Sequence, residues 1–119
     1  MKKPILIQTA NNKVEVIAEI ADRTASLMKG LKFRHVLSQK EGMLFVFPNE
    51  GFHAMHMKDT LIPLDLIFID SDREIVDIKH GEKKSPDLIR PERLCRYVLE
   101  VNKDFCRHKN IKIGDKVRI

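Results

Sequence analysis

The fold is decided by the stretch from residue 42 to residue 70, which reads GMLFVFPNEGFHAMHMKDTLIPLDLIFID. It opens with a nearly continuous apolar run, Gly42–Phe47, which is typical of a strand buried on both faces. It closes with Leu64–Ile69, in which every second side chain points to the same face of a strand. Between the two runs lies a polar segment with His and Met side chains. Two buried strands around a polar loop indicate a β-rich core.

Hairpins are predicted on both sides of this stretch. Upstream, an apolar run at residues 5–8 and an alternating run at residues 14–20 are joined by the turn signal Asn11-Asn12. Downstream, a charged turn at residues 70–74 leads back into a strand at residues 75–79. Further short strands are predicted at residues 52–58, 97–101 and within 111–119, with a turn at residues 48–51 and an exposed loop at residues 81–91.

One short helix is predicted near residues 22–31. Asp22 can accept backbone N–H bonds at its start, and Gly30 stands where the helix would end. Because the strands are not separated by helices of about 10–15 residues, a doubly wound parallel sheet is not expected. We predict a single mainly-β, sandwich- or barrel-like (jelly-roll-like) domain over residues 1–119, with about eight short strands. The side chains expected on one face of the helix are Thr24, Leu27, Met28 and Leu31.

Composition narrows the class of protein. The chain has 43% hydrophobic and 33% charged residues, which is ordinary globular usage, and its net charge of +5 is spread along the sequence. The basic C-terminal fifth holds a single aromatic, Phe105, so nucleic-acid binding is not expected.

No apolar run resembles a signal peptide or a membrane span, and a cytoplasmic location is expected. The two cysteines, Cys95 and Cys106, form no CxxC motif and are predicted to be reduced and buried.

Five segments stand in a recognisable order along the chain. They are LMKGLKFR at residues 27–34, GMLFVF at 42–47, MKDTLIPLDLIFID at 57–70, YVLEVN at 97–102 and IGD at 113–115. Together they resemble the signature segments of the DUF192 family, also called UPF0127, a set of small bacterial and archaeal domains without an assigned reaction. The resemblance extends over about residues 14–119 and implies a β-sandwich or barrel-like domain.

The chain departs from the pattern of that family in three places. Met55-His56 stands where the family usually has Phe-Trp, Asp59 stands where Asn is usual, and Asp104 replaces a usual Gly. The first departure removes a large aromatic ring from the middle of the signature. No ligand-stacking role of that ring is therefore transferred to this chain.

Charged residues inside the apolar strands point to a polar site. Asp65 and Glu100 each lie within an apolar strand, where a carboxylate needs either solvent or a partner. Arg34 and Lys58 are candidate partners if their segments converge on the strands. We predict a pocket for a small polar or anionic ligand where the strand 42–47, the loop 57–65 and the strand 97–101 meet. The candidate ligand-binding residues are Arg34, Lys58, Thr60, Asp65 and Glu100.

Three classes of function stay open from the sequence. A small-ligand or partner-binding module is the leading hypothesis, and an enzyme of the hydrolase or lyase type would use Asp65 and Glu100 as an acid/base pair. A structural or interaction protein would use the same charges as ion pairs that fix loops to the sheet. No nucleophile motif surrounds Cys95, or Cys106 with its neighbour His108. The oligomeric state is left open.

The Met- and His-rich centre has a second interpretation as a soft-metal site. On a strand His53, Met55 and Met57 would share one face, with His56 on the other face and Met43 close in sequence. Thioethers and imidazoles bind copper, but methionines more often fill cores. We therefore expect no metal and no cofactor.

Overall fold

Nine strands and two short helices make up the protein, which the computed structural model describes over residues 1–119. Neither helix has the length and apolar character that crossing a membrane requires. The elements are β1 (Lys2–Gln8), β2 (Lys13–Ala21), α1 (Thr24–Lys29), β3 (Glu41–Gly51), β4 (Met55–His56), β5 (Leu64–Ile69), β6 (Ile75–Gly81), β7 (Leu88–Ile89), β8 (Cys95–Asn102), α2 (Phe105–Lys109) and β9 (Lys116–Arg118).

Seven strands form one curled sheet in the order β6-β5-β8-β3-β2-β1-β9, while β4 and β7 pair separately. All neighbours in the large sheet are antiparallel except β2 and β3. The edges of the sheet approach each other through a bridge between Glu74 and Lys116, whose side chains also form a 2.7 Å ion pair. The sheet is therefore a half-barrel, and the predicted mainly-β, barrel-like class is confirmed.

Each face of the sheet carries its own hydrophobic core. The inner core combines residues from both edges of the sheet, such as Ile7 and Ile75, with Phe105 of α2. The outer core combines side chains of β3, β5 and β8, including Phe45 and Phe68, and is covered by the segments around α1 and residues 55–62. The alternation in β5 is as predicted, because Leu64, Leu66 and Phe68 belong to the outer core and Ile67 and Ile69 to the inner one.

Both predicted hairpins are present, but several element boundaries were wrong. The turn predicted at residues 48–51 is part of β3, which continues to Gly51 through a register shift after Val46. Pro48, which lacks an N–H, is tolerated at such an irregularity. The strands predicted within 52–58 and 111–119 are reduced to β4 and β9.

The helix predictions were incomplete. Asp22 does not cap α1, because the N-cap is Arg23, whose backbone N–H donates to the Ser26 hydroxyl at 3.1 Å. Met28 is 68% exposed, so the predicted apolar stripe is broken at that position. A second helix, α2, follows β8 and lies between the strands predicted at residues 97–101 and within 111–119.

Candidate functional site

Asp65 and Glu100 lie on neighbouring strands but face opposite sides of the sheet. In the antiparallel pair of β5 and β8, Asp65 is opposite Val101 and Leu66 is opposite Glu100. Directly paired residues share a face and successive residues alternate, so Asp65 faces the inner core and Glu100 the outer one. The two carboxyl groups therefore share no cleft, and the acid/base pair considered from the sequence is not formed.

Asp65 is a fully satisfied carboxylate. It is completely buried, and its Oδ1 accepts the Asp104 N–H at 3.2 Å while its Oδ2 accepts the Cys106 N–H at 3.0 Å. Oδ1 also lies 2.8 Å from Nδ1 of His80, whose side chain is largely exposed. These contacts join β5 and β6 to the first turn of α2, which is a structural role.

Glu100 is buried without any protein partner. Only 4% of the residue is exposed, its carboxyl group makes no hydrogen bond or ion pair, and burial raises the pKa of Glu100 to about 8. Every side-chain nitrogen or oxygen that is inaccessible to solvent has a hydrogen-bond partner in the structure. Because Glu100 has none, its oxygens must reach an accessible space rather than closed protein.

That space is a cavity of about 240 Å³ between α1 and the outer face of the sheet. Glu100 and Thr60 supply polar side chains to its wall, and Lys29, Lys32 and His56 also border it. Phe45 and Phe47 from the segment 42–47, Thr60 from the loop 57–65 and Glu100 from the strand 97–101 all border this cavity. Apolar lining comes from Leu27, Leu31, Phe45, Phe47 and Met55.

Two glycines allow the walls of the cavity to approach each other. Gly30 ends α1 at a φ of 50°, and a Cβ there would lie 3.1 Å from the ring of Phe45. A Cβ on Gly42 would lie 2.5 Å from the Glu100 carbonyl oxygen, closer than a side chain can be accommodated without movement. Glycine at these positions places the end of α1 and the Glu100 strand close to β3.

Thr60 is held in a rigid loop with a free hydroxyl. Its N–H donates to the Met57 carbonyl at 2.9 Å, and its carbonyl accepts the Lys84 N–H at 2.8 Å. The residue is 5% exposed, and its hydroxyl makes no hydrogen bond within the protein. Like Glu100, Thr60 presents an unused polar group to the cavity.

Three of the five predicted site residues lie elsewhere. Asp65 anchors α2, and Lys58 is exposed and does not line the cavity. Arg34 forms a two-point ion pair with Glu19, with Nη2 and Oε1 2.9 Å apart, which raises the pKa of Arg34 and lowers the pKa of Glu19. The structure therefore brings together Thr60 and Glu100 of the predicted set.

The methionines and cysteines fill the two cores. Met55 and Met57 are buried in the outer core, and His53 stacks on Phe47 with ring centroids 3.9 Å apart. Three or more His, Cys, Asp or Glu side chains do not cluster anywhere in a way that could hold a metal ion. Cys95 and Cys106 are free and buried, and burial raises the pKa of both thiols.

Comparison with known proteins places this geometry in a family. The family model DUF192, described as "Uncharacterized ACR, COG1430", matches residues 6–119. The chain belongs to the DUF192 family. It is 28% identical over 101 residues to UPF0127 proteins of Thermococcus sibiricus and Thermococcus kodakarensis. These matches cover 83% of this chain but 63% and 62% of those proteins, so the chain spans less than two thirds of their length.

Two solved structures have the same fold as this DUF192 chain. A crystal structure from Sinorhizobium meliloti 1021, named as a "putative transcription regulator", has a TM-score of 0.96 and 29% identity, covering 99% of this chain and 93% of that one. A protein of unknown function from Novosphingobium aromaticivorans also has a TM-score of 0.96 and 29% identity, covering 99% of this chain and 85% of that one. The fold is therefore shared across nearly the whole chain.

Two departures from the DUF192 signature fall at left-handed backbone positions. Asp59 has a φ of 60° and Asp104 a φ of 70°. Asn and Gly, the usual DUF192 residues there, are well suited to positive φ, and Asp tolerates it less readily than Gly. At these two sites this chain therefore holds Asp in a left-handed backbone conformation.

No local sequence pattern indicated the contribution of α1 to the cavity of this DUF192 domain. Leu27 and Leu31 were predicted as core residues, and they are also the wall opposite the sheet. Lys29 and Lys32 had no motif to mark them. The one available signal was Glu100 itself, a carboxylate in the middle of an apolar strand.

Proposed function

We propose that this DUF192 domain binds a compact polar small molecule in the cavity between α1 and the sheet. Glu100 and Thr60 would supply the hydrogen bonds that orient the ligand, and the apolar lining would exclude water. The observation that carries the proposal is the carboxyl group of Glu100, which is buried and has no partner.

Burying the Glu100 carboxyl group without a hydrogen-bond partner costs free energy. Leaving a buried polar group unpaired costs about 1–3 kcal/mol, and native proteins keep few such groups. A ligand that hydrogen-bonds Glu100 would recover this cost, whereas an apolar residue at position 100 would avoid it without any ligand. The cavity is smaller than the roughly 300–1,000 Å³ typical of drug-sized ligands, which favours a compact molecule.

Binding is better supported than catalysis. The cavity contains one carboxyl group, because Asp65 faces the other side of the sheet. Acid/base chemistry of the glycosidase type needs two carboxyl groups that face the same substrate.

Nucleic acid fits this chain less well than a small molecule. A basic groove lies near α2, bordered by Lys13, Lys40, Lys103 and Lys109. Phe105 is its only Phe, Tyr or Trp, and at 3% exposure this side chain cannot stack on bases. The name given to the Sinorhizobium protein is therefore not extended to this chain.

A fragment screen by ¹⁵N-correlation NMR tests the proposal. Compact polar fragments are expected to shift the amide signals of Leu31, Thr60 and Glu100, and Glu100→Leu should weaken the hits by about tenfold or more. Leu has a similar volume and removes the buried acid, so the variant is expected to fold. Glu15→Leu, at an exposed position of β2, is the control and should retain every hit. Absence of hits at the cavity, or hits that Glu100→Leu leaves unchanged, would contradict the proposal.

A further inference from the structure

We infer that the ligand of this cavity carries an anionic group, and that Glu100 must keep its proton for that ligand to bind. This inference rests on the proposed function and specifies the chemistry of the same site. Its basis is the set of charged groups that border the cavity.

The groups that border the cavity together with Glu100 are cations, hydrogen-bond donors or apolar side chains. The segment at the end of α1 contributes Lys29 and Lys32, β4 contributes His56, and the loop before β5 contributes Thr60. The paired neighbours of Glu100 on β3 and β5 are Met43 and Leu66, which are apolar. Glu100 is the only acid that lines the cavity.

Lys29 and Lys32 are not neutralised by the protein. Every ion pair in the structure involves other residues, so neither lysine has a carboxylate partner within 4.0 Å. Two unpaired cations beside a small apolar cavity attract an anion and repel a cation. A positively charged ligand would have to approach both lysines and would also require Glu100 to ionise in a buried position.

A protonated Glu100 is the complement of such an anion. A neutral carboxyl group donates an O–H to a carboxylate or phosphate oxygen, whereas an ionised one repels it. Burial raises the pKa of Glu100 to about 8, so the acid is mostly protonated at neutral pH. Since the anion binds the protonated form, its affinity should fall as the pH rises through that pKa.

Three probes with the same four-carbon skeleton separate the possibilities: butyrate, butan-1-ol and butylamine. Each is titrated into the full chain at about pH 6.5 and about pH 9.5, with the amide shifts of Leu31 and Thr60 as the readout. We expect butyrate to bind about thirtyfold more weakly at the higher pH, as linkage to one group predicts. Butylamine should bind more weakly than butyrate at the lower pH.

Two variants identify the groups responsible. Glu100→Gln keeps a neutral donor at every pH, so butyrate should bind it with similar affinity under both conditions. The double variant Lys29→Gln/Lys32→Gln should weaken butyrate several-fold at both pH values and leave butan-1-ol unchanged. Lys29 is the last residue of α1 and Lys32 lies in the turn after it, and neither is buried, so this variant is expected to fold.

The outcomes separate this inference from the proposed function. Equal butyrate affinity at both pH values, or butylamine that binds more tightly at high pH than any other probe, overturns the inference and leaves a ligand-binding cavity. Failure of all three probes also overturns the inference if the fragment screen yields other hits at the cavity. Failure of the probes together with an empty screen overturns the proposed function as well.

Discussion

Asp65 and Glu100 are buried carboxyl groups on adjacent strands, one position apart in register, with opposite surroundings. Asp65 has two backbone N–H donors and the His80 ring beside it. Glu100 has no partner and opens onto a cavity. Burial alone therefore does not distinguish a structural carboxylate from a candidate binding group, whereas the count of satisfied hydrogen bonds does.

The comparison also explains why the two groups are tolerated. Backbone N–H groups take the place of water around the Asp65 carboxylate. Because these groups lie at the start of α2, the buried carboxylate also holds that helix in position. Glu100 has no donor within the protein and its oxygens open onto the cavity, and the outer core around it is otherwise apolar. The first arrangement stabilises the fold, and the second reduces stability unless a ligand or the proton compensates.

The largest expected effect is a gain of stability in Glu100→Gln at alkaline pH. In the unfolded chain the acid ionises near its ordinary pKa of 4.5, but in the folded protein near about 8. Between these values the folded state holds one more proton than the unfolded state, so wild-type stability falls as the pH rises. The Gln variant escapes this loss and should be more stable above about pH 8 by as much as about 5 kcal/mol.

Urea denaturation at about pH 5 and about pH 9 measures this difference. Glu15→Gln, which removes an exposed carboxylate from β2, serves as the control and should change the free energy of unfolding little at either pH. If Glu100→Gln and the wild type depend on pH in the same way, Glu100 is not a buried, unpartnered acid.

The opposite effect is expected at Asp65. Asp65→Ala leaves the buried N–H groups of Asp104 and Cys106 without acceptors, so we expect a loss of about 3–4 kcal/mol in the free energy of unfolding. Equilibrium unfolding at neutral pH measures the loss, and Asp72→Ala, at an exposed turn position, is the control. Fragment binding at the cavity should persist in Asp65→Ala under conditions where it remains folded, because Asp65 faces the other core.

A third variant tests whether the position of the Glu100 strand matters. In Gly42→Ala the new Cβ would lie 2.5 Å from the Glu100 carbonyl oxygen, which forces β3 and β8 apart. We expect a loss of about 1–3 kcal/mol and weaker butyrate binding. Gly51→Ala, also on β3, is the control, because its Cβ would meet only the His53 ring at 3.3 Å and that side chain can move. A Gly42→Ala protein as stable as Gly51→Ala would contradict this explanation.

The sequence allowed the sheet to be predicted better than the site. Alternation in β5 and the apolar run of β3 follow from local side-chain periodicity, and both are present. Glu100 and Thr60 could be predicted as site residues because a polar residue in an apolar segment needs an explanation. Lys29 and Lys32 could not, because their place beside the cavity depends on how α1 packs on the sheet, which no local pattern encodes.

Pairing of charges was the least predictable feature. Arg34 was expected to approach Asp65 or Glu100, but its side chain pairs with Glu19 of β2 instead. Two of the Asp65 donors lie at the start of α2, and the first of them, the Asp104 N–H, is 39 residues further along the chain. Such long-range partners depend on the register of the whole sheet. A shift of one residue in the pairing of any strand would change them.

The smallest effect is expected for Arg34→Ala. The Arg34 and Glu19 side chains are 34% and 31% exposed, and ion pairs near the surface contribute within about 1 kcal/mol and are weakened by salt. We therefore expect a small loss of stability that shrinks further in high salt, with unchanged fragment binding at the cavity, as measured by urea denaturation and NMR titration. Glu19→Ala is the matched control and should give a similar, non-additive loss, because both variants remove the same contact. A loss of fragment binding in Arg34→Ala would instead place Arg34 within reach of Glu100 and would restore the convergence that the sequence suggested.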